Sequence, residues 1–407
     1  MVLRILVAMA FVALSATPNS VLSHEAVIDL AWDASLKPIL LQRFPAATAG
    51  DLKVAHAHAY GGAIIQDMGY YPFGSHFFSD LTHYIRSGDF IENLLVEAQD
   101  LNELAFALGA IAHYAGDHAS HSIAVNRSVA ILYPKLRQRF GNSVTYENSP
   151  SAHLKVEFGF DMLQVAQGHY APEAYHNFIG FKVPKDLLER AFTRTYGLAL
   201  GETFNSVDLA LGSFRFSVAN IVPEVTKAAW SSRQKEIAQA FPGTTRQSFV
   251  YRFTKASYEK EWGGTYDRPG KFASFLGCLF KALPKVGPLR AFAFSLPTPA
   301  TERLFLESLK QTQLRYVGML SQVKAGARIQ IPNENFDTGL PIKWGSYGLA
   351  DQAYIQLLHK LASKQYAAVD AALRDTLLQF VTGAKTLPDA AAKELVQLKA
   401  LTAAPRH

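Results

Sequence analysis

The 407-residue chain is poor in the features that mark several protein classes. Its only cysteine, Cys278, cannot form an internal disulfide. After the N-terminus no segment approaches the roughly 20 apolar residues that cross a bilayer as a helix. Strand-like alternation is scarce, and after residue 176 there is neither a Walker phosphate loop nor a GxSxG motif. The sequence therefore excludes a disulfide scaffold, and its chemistry is expected in the first half.

The N-terminus carries one basic residue followed by a short apolar stretch from Ile5 to Leu14. This pattern is typical of a secretory signal peptide and is too short for a stable membrane-spanning helix. Small residues permit cleavage after Ser15 or after Ser23. We take residues 1–23 as the signal peptide and expect a secreted or periplasmic protein whose first mature residue is His24.

Helical periodicity dominates the rest of the chain. Apolar residues recur at helical spacing in the segments 100–114, 184–211, 301–322 and 349–380. Glycine and proline separate these segments, and the longest irregular stretch lies between Ile329 and Gly345. The sequence predicts an all-α protein, with a multi-helix catalytic domain and a helical C-terminal extension.

Histidine and charge are divided unevenly along the chain. Eleven of the 13 histidines lie at or before His176. Residues 1–225 contain 15 Lys and Arg and 21 Asp and Glu, whereas residues 226–407 contain 25 and 13. We predict a catalytic domain over residues 24–225 and a basic helical region of unknown role over residues 226–407. The basic half suits an anionic surface, lipid or nucleic acid, although a basic solvent-facing surface explains the same count.

One segment of the basic half has the composition of a membrane-interface element. From residue 271 to 297, phenylalanines and leucines are interspersed with Lys and Arg. This pattern predicts a helix pair that lies in the membrane interface and makes transient contact with lipid. A helical hairpin buried against the catalytic domain fits it equally well.

The sharpest chemical motif is a run of His113, Asp117 and His121 directly after a strongly helical segment. Spacing of four residues places the three side chains on one helix face. Zinc binds imidazole nitrogen and carboxylate oxygen, and one stripe supplies only part of its ligand shell. A second stripe with the same spacing, His153 and Glu157, is expected to contribute the rest.

Further donors come from the N-terminal part of the chain. Asp67 and His76 flank a Tyr-Tyr-Pro turn, and His24 lies at the expected mature N-terminus. The predicted metal ligands are His24, Asp67, His76, His113, Asp117, His121, His153 and Glu157. A helical di-iron site needs Glu-x-x-His motifs and more glutamates, so this nitrogen-rich set favours zinc. We place four further histidines, His56, His58, His83 and His118, outside the ligand shell.

This ordered set resembles the zinc-dependent phospholipase C family, which includes bacterial phospholipases C and the N-terminal domain of glycosylphosphatidylinositol-specific phospholipase D. The resemblance covers about residues 24 to 165 and implies an all-helical fold with three zinc ions. By resemblance, the first ion is held by His24, the N-terminal amine and Asp117, the second by Asp67, His76, His113 and Asp117, and the third by His121, His153 and Glu157.

The resemblance implies hydrolysis of a phosphodiester in a phospholipid substrate, with Asp67 as a candidate general base. In bacterial phospholipases C and S1/P1 nucleases the third-site histidine follows the bridging aspartate by six residues. Here Ile123 occupies that position, and His121 follows Asp117 by four. This spacing resembles the glycosylphosphatidylinositol-cleaving branch and favours lipid over nucleic acid. An extracellular nuclease and a zinc-stabilised, non-catalytic lipid- or partner-binding protein are the alternatives.

Overall fold

A computed structural model describes residues 21–166, 181–218 and 295–400, together with residues 230, 234, 235 and 245. The protein is all-α, as the sequence predicts. Among the described residues up to 218, the helices are α1 (Val21–Ala31), α2 (Lys37–Arg43), α3 (Ala49–Ile64), α4 (His76–Tyr84), α5 (Ser87–Glu97), α6 (Leu101–Ala119), α7 (Asn126–Leu132), α8 (Pro134–Phe140), α9 (Pro150–Ala166), α10 (Lys185–Tyr196) and α11 (Val207–Phe216).

Within the described residues 295–400, four helices and a short hairpin follow. They are α12 (Pro299–Lys324), β1 (Glu334–Asn335), β2 (Leu340–Pro341), α13 (Gly348–Ser363), α14 (Ala371–Phe380) and α15 (Asp389–Ala400). Tighter or wider turns extend several of the helices. The 3-10 turns are Ile65–Tyr70 and Leu200–Glu202, and the π-helical turns are Trp32–Leu36 and Ser120–Val125.

Local side chains define where the two central helices begin. Thr48 accepts a hydrogen bond from the backbone of Asp51, whose carboxylate accepts one from the Thr48 N–H at 2.9 Å, so a capping box starts α3. The carboxylate of Asp100 accepts hydrogen bonds from the backbone N–H groups of Asn102 and Glu103, which starts α6. Both caps satisfy backbone donors that have no partner within the helix.

Helices α3 and α6 form the centre of the molecule and cross in very close contact. A Cβ added to Gly62 would lie 1.9 Å from the carbonyl oxygen of Phe106, and one added to Gly109 would lie 2.0 Å from that of Ala59. Only glycine at both positions permits this separation. The contact fixes α6, which carries His113 and Asp117, against the end of α3 that leads into Asp67.

Two of the predicted helical segments are interrupted. The segment 184–211 ends its first helix at Gly197, whose φ of 67° favours glycine, and resumes at Val207. The segment 349–380 divides between α13 and α14, where Gln365 and Tyr366 have positive φ angles of 54° and 58°. The other two predicted helices correspond to α6 and α12.

The irregular stretch before α13 contains an antiparallel hairpin, which we call the site hairpin (residues 334–341). Glu334 pairs with Pro341 and Asn335 with Leu340. The backbone N–H of Phe336 donates to the carbonyl of His83 at 3.2 Å, so the hairpin is tied to α4. A segment from the C-terminal part of the sequence thus reaches the histidine-rich helices.

The described residues on both sides of residue 225 contribute to one buried core, in which α12 packs along α6. The predicted boundary between 24–225 and 226–407 stays a prediction. The predicted signal sequence up to residue 20 lies outside the described residues, as does the predicted interfacial segment 271–297 except for its last three residues. Among the described helices, none combines the length and apolarity of a membrane span.

Candidate metal centre

The first donor cluster joins three elements of the fold. Asp67 lies in the 3-10 turn after α3, His83 in α4, and His113 and Asp117 one turn apart in α6. Nε2 of His83 is 3.3 Å from Oδ1 of Asp67 and 3.4 Å from Oδ2 of Asp117. Nε2 of His113 is 3.3 Å from the same Asp117 oxygen. All four side chains are buried.

Backbone carbonyls fix the orientation of both imidazoles in this cluster. Nδ1 of His113 lies 2.9 Å from the carbonyl oxygen of Ala63, and Nδ1 of His83 lies 2.7 Å from that of Ser79. Each Nδ1 therefore donates its hydrogen to the backbone, which leaves the Nε2 lone pairs directed inward. These two Nε2 atoms are 3.3 Å apart, a separation that requires a proton or a cation between them.

The second cluster joins α9 to the π-helical turn that follows α6. Oε1 of Glu157 lies 3.1 Å from Nε2 of His121 and 3.1 Å from Nδ1 of His153. His153 and Glu157 are one turn apart on α9, as their spacing predicts. All three side chains are buried, and their donor atoms lie close enough together to surround one metal ion.

Asp117 faces both clusters and also His24. Its Oδ2 belongs to the first cluster, whereas its Oδ1 lies 3.1 Å from Nε2 of His24 and 3.9 Å from Nε2 of His121. The ring of His24 stacks on that of His113 with centroids 4.5 Å apart. The Asp117 carboxylate therefore contacts His24 and at least one histidine of each cluster.

The donor set fits a divalent cation. Both carboxylate oxygens of Asp67 and of Asp117 are buried and accept no hydrogen bond of ordinary geometry from any described residue. Buried carboxylates without donors are costly, and a metal ion is one of the few partners that satisfies them. Imidazole nitrogen combined with carboxylate oxygen is the donor chemistry that zinc prefers.

The electrostatics show how strongly the donors are coupled. Burial would raise the pKa of Asp117, but the nearby imidazoles of His113 and His121 outweigh it and hold that pKa well below its usual range. Burial would lower the pKa of His83, but the contacts with Asp117 and Asp67 outweigh it and raise the pKa to about 10. Metal binding to His83 must therefore displace a proton.

The comparison with known proteins agrees with this geometry. Residues 23–206 match the family model described as zinc-dependent phospholipase C. Residues 23–206 are thus similar to a zinc-dependent phospholipase C domain. The chain is accordingly a hydrolase. No curated protein and no solved structure matches the chain.

Seven of the eight predicted ligands come together within the matched region, and His76 does not. His76 is the first residue of α4; its side chain is exposed and contacts the ring of Tyr70 with centroids 5.4 Å apart. The structure places His83, two turns further along α4, against Asp67 and Asp117 instead. Residues 76 and 83 lie on nearly the same helix face, so periodicity alone does not distinguish them.

Asp337 is a site residue that the sequence patterns did not indicate. It lies in the site hairpin, far from the helical stripes, and its side chain is 2 % exposed. Burial would raise its pKa, but His121 and His153 outweigh it and hold that pKa well below its usual range. The only sequence signal is the long irregular stretch around it, because such stretches in compact domains are usually functional.

Three other described histidines have partners of their own. His118 lies 3.1 Å from a carboxylate oxygen of Glu334, and its Nε2 lies 3.1 Å from the carbonyl of Gly339. His56 stacks on Trp32 with ring centroids 3.8 Å apart. Nδ1 of His58 lies 3.0 Å from the carbonyl oxygen of Val54 in the preceding turn of α3.

Asp161 is a second buried acid close to the predicted ligands. The hydroxyl of Ser23 donates a hydrogen bond to Oδ1 of Asp161, across the contact between α1 and α9. Burial raises the pKa of Asp161 to about 7. Ser23 is the residue before the predicted mature N-terminus, so this contact joins the predicted cleavage point to the helix that carries His153 and Glu157.

Proposed function

We propose that this protein is an exported zinc-dependent phosphodiester hydrolase that cleaves phospholipids in the manner of a phospholipase C. The observation that carries the proposal is the pair of buried donor clusters that meet at Asp117. A buried carboxylate that faces two sets of imidazoles is suited to bridge two adjacent cations.

We assign two sets of ligands. One zinc ion would be held by Asp67, His83, His113 and Asp117, and a second zinc ion would be held by the other set. That second set is His121, His153 and Glu157. His24 would contribute to a third ion together with Asp117, if processing frees its amine. When bound, closely spaced zinc ions supply an activated water and a positive field for the phosphoryl oxygens.

The protein's own groups set the conditions for this reaction. The carbonyls of Ala63 and Ser79 hold His113 and His83 in the tautomers that present Nε2. The buried surroundings of Asp67 strengthen its electrostatic interactions relative to those in water. Asp67 is our candidate general base, since one carboxylate oxygen can hold a ligand position while the other accepts a proton.

Phospholipid is the substrate class that we favour. The support is the match of residues 23–206 to the phospholipase C family and the spacing of four residues between Asp117 and His121. The excess of Lys and Arg after residue 225 would place this domain near an anionic membrane surface. Head-group selectivity depends on the shape of the substrate pocket.

The test combines metal analysis with hydrolysis. The full chain would be analysed for zinc by elemental analysis, and diacylglycerol release would be followed on vesicles of phosphatidylcholine, phosphatidylinositol and a glycosylated phosphatidylinositol. We expect at least two zinc ions per chain and activity that chelation abolishes and zinc restores. Asp67→Asn should lose activity, whereas Asp33→Asn, at a side chain that is 86 % exposed, should not.

Two results would contradict the proposal. A well-folded chain without zinc would remove the ligand assignment. Zinc-dependent release of nucleotides from single-stranded nucleic acid, without lipid turnover, would identify the nuclease alternative instead. Bound zinc with no turnover of any phosphodiester would leave a zinc-stabilised binding protein. Export is tested separately by cell fractionation, and a purely cytoplasmic chain with an intact N-terminus would exclude it.

A further inference from the structure

The site hairpin places a carboxylate behind both histidines of the second cluster. Oδ1 of Asp337 lies 3.5 Å from Nδ1 of His121 and 3.4 Å from Nε2 of His153. Neither this oxygen nor Nδ1 of His121 has a hydrogen-bond partner among the described residues. Two unsatisfied buried groups, one a potential donor and the other an acceptor, therefore face each other.

The nitrogens that face Asp337 are not those that face Glu157. Glu157 lies against Nε2 of His121 and Nδ1 of His153, and Asp337 lies against the other nitrogen of each ring. An imidazole that binds a metal through one nitrogen carries a hydrogen on the other, and that hydrogen is usually donated to a carboxylate or a carbonyl. Asp337 occupies the place of this acceptor.

The carboxylate is itself held in place. Its second oxygen, Oδ2, accepts hydrogen bonds from the backbone N–H of Tyr146 at 2.8 Å and from the hydroxyl of Tyr347 at 2.7 Å. The backbone carbonyl of Asp337 accepts a hydrogen bond from the Asn126 amide at 2.7 Å. The same amide group presents its oxygen 2.8 Å from Nε2 of His153. Asp337 thus reaches His121 directly, and reaches His153 both directly and through Asn126.

We propose that Asp337 is a positioning residue for the second zinc ion, which orients His121 and His153 from the side opposite to the metal. The inference rests on the zinc site proposed above. Asp337 lies outside residues 23–206, the part of the chain that matches the phospholipase C family. The C-terminal region, whose role the sequence left open, therefore supplies part of the metal centre.

The arrangement also predicts what replacement by asparagine will do. Both groups that face Oδ2 are donors, so an asparagine must direct its carbonyl oxygen there and its NH2 group toward His121. The hydrogen on Nδ1 of His121 would then face another donor. If the amide turns the other way, the NH2 group meets the donors of Tyr146 and Tyr347 instead. Asp337→Asn keeps the shape of the side chain but cannot satisfy both sides.

The experiment compares zinc affinity in the full-length wild type, Asp337→Asn and Glu334→Gln by competition with a chromophoric chelator. We expect Asp337→Asn to weaken one zinc ion by about 10- to 100-fold and to leave the other unchanged. Glu334 is the matched control because it lies on the same hairpin but pairs with His118 and Arg315. Its replacement should leave both affinities unchanged.

A second readout separates positioning from a merely structural role. Long-range ¹H–¹⁵N NMR of the zinc-loaded wild type should show a hydrogen on Nδ1 of His121, and Asp337→Asn should shift that signal. The metal-free Asp337→Asn chain should keep the melting temperature of the metal-free Glu334→Gln chain within a few degrees. Unchanged zinc affinity in Asp337→Asn would overturn the proposal, as would equal weakening of every zinc ion in an Asp337→Asn chain that stays folded without metal.

A milder variant covers the case in which Asp337→Asn does not fold. Tyr347→Phe removes only one of the two donors to Oδ2 and should weaken the same zinc ion by a smaller factor. Equal affinities in Tyr347→Phe and wild type would then contradict the proposal. The two proposals fail in different ways. If the wild type binds no zinc, the proposed function is wrong. If wild type and Asp337→Asn bind zinc equally well, only the proposed role of Asp337 is wrong.

Discussion

Nε2 of His24 lies 3.1 Å from Oδ1 of Asp117, so the first turn of α1 is in direct contact with the carboxylate that faces both donor clusters. The contact depends on close packing, because a Cβ added to the neighbouring Gly116 would lie 3.0 Å from two atoms of the His24 ring. Position 24 is therefore held against the donor clusters.

The place of cleavage should be visible in stability and in zinc content. Val21 and Leu22 are buried, so a chain that begins at His24 lacks two core side chains that a chain beginning at Ala16 keeps. We expect the shorter chain, when metal-free, to be less stable by about 3 to 6 kcal/mol. It should bind one more zinc ion through its free amine. Both forms can be released from a fusion and compared by chemical denaturation and elemental analysis; equal zinc content would remove the amine as a ligand.

Replacement of His83 and of His76 should have opposite results. His83→Gln removes an inward-facing Nε2 from the first cluster and should abolish the binding of one zinc ion and most hydrolysis. His76→Gln changes an exposed side chain and should retain zinc within about a factor of two. Metal content and initial rates measured side by side provide the check. Loss of zinc in His76→Gln alone would instead support the original sequence prediction.

The close contact between α3 and α6 should tolerate no added methyl group. Gly109→Ala would place a Cβ 2.0 Å from the carbonyl oxygen of Ala59, and the resulting overpacking should cost about 1–3 kcal/mol or more. Gly212→Ala is the matched control, since it lies within α11 and its added Cβ meets no described atom within 4 Å. That change should stabilise the helix by up to about 1 kcal/mol. Urea denaturation of the two variants would show whether their effects have opposite signs.

His58 should make the protein sensitive to mild acid. Burial lowers the pKa of His58 to about 4, whereas the ordinary value is 6.5. Below pH 6.5 His58 is protonated in the unfolded chain but stays neutral in the folded chain. The free energy of unfolding therefore falls as the pH drops from 6.5 toward 4. The loss of unfolding free energy that is due to His58 approaches about 3 kcal/mol at pH 4.

The measurement is the free energy of unfolding of metal-free protein between pH 4 and pH 7. His58→Gln should flatten the acid side of this profile relative to wild type. His359→Gln, at a side chain that is 72 % exposed, should follow the wild-type curve. An unchanged slope in His58→Gln would show that other groups govern the acid sensitivity.

Local periodicity was sufficient to predict much of this molecule. The all-helical class follows from apolar residues at helical spacing. The structure brings together His113 with Asp117 and His153 with Glu157, as expected, because four residues make about one helical turn. Such pairs depend only on the geometry of a single helix, and sequence spacing records that geometry.

Contacts between distant elements were not predictable in the same way. His76 and His83 share a face of α4, and the position of α4 along its axis decides which of them reaches Asp67. That position depends on packing against neighbouring helices. Asp337 lies 180 residues beyond Glu157 and reaches the centre only because the hairpin is tied to α4. No local pattern encodes an approach of this kind.

Gly62 of α3 contacts the backbone of α6, and Gly109 of α6 contacts the backbone of α3, at the same helix crossing. A substitution at either glycine therefore changes the contact that the other one makes. A first alanine would force the helices apart, and a second would enter space already opened, so the double variant should lose less stability than the sum of the two single variants. The effects of substitutions at these two positions on stability are therefore coupled. In a related protein with glycine at only one of the two positions, we expect α3 and α6 to be displaced relative to each other. The metal donors on α6 would move with that helix.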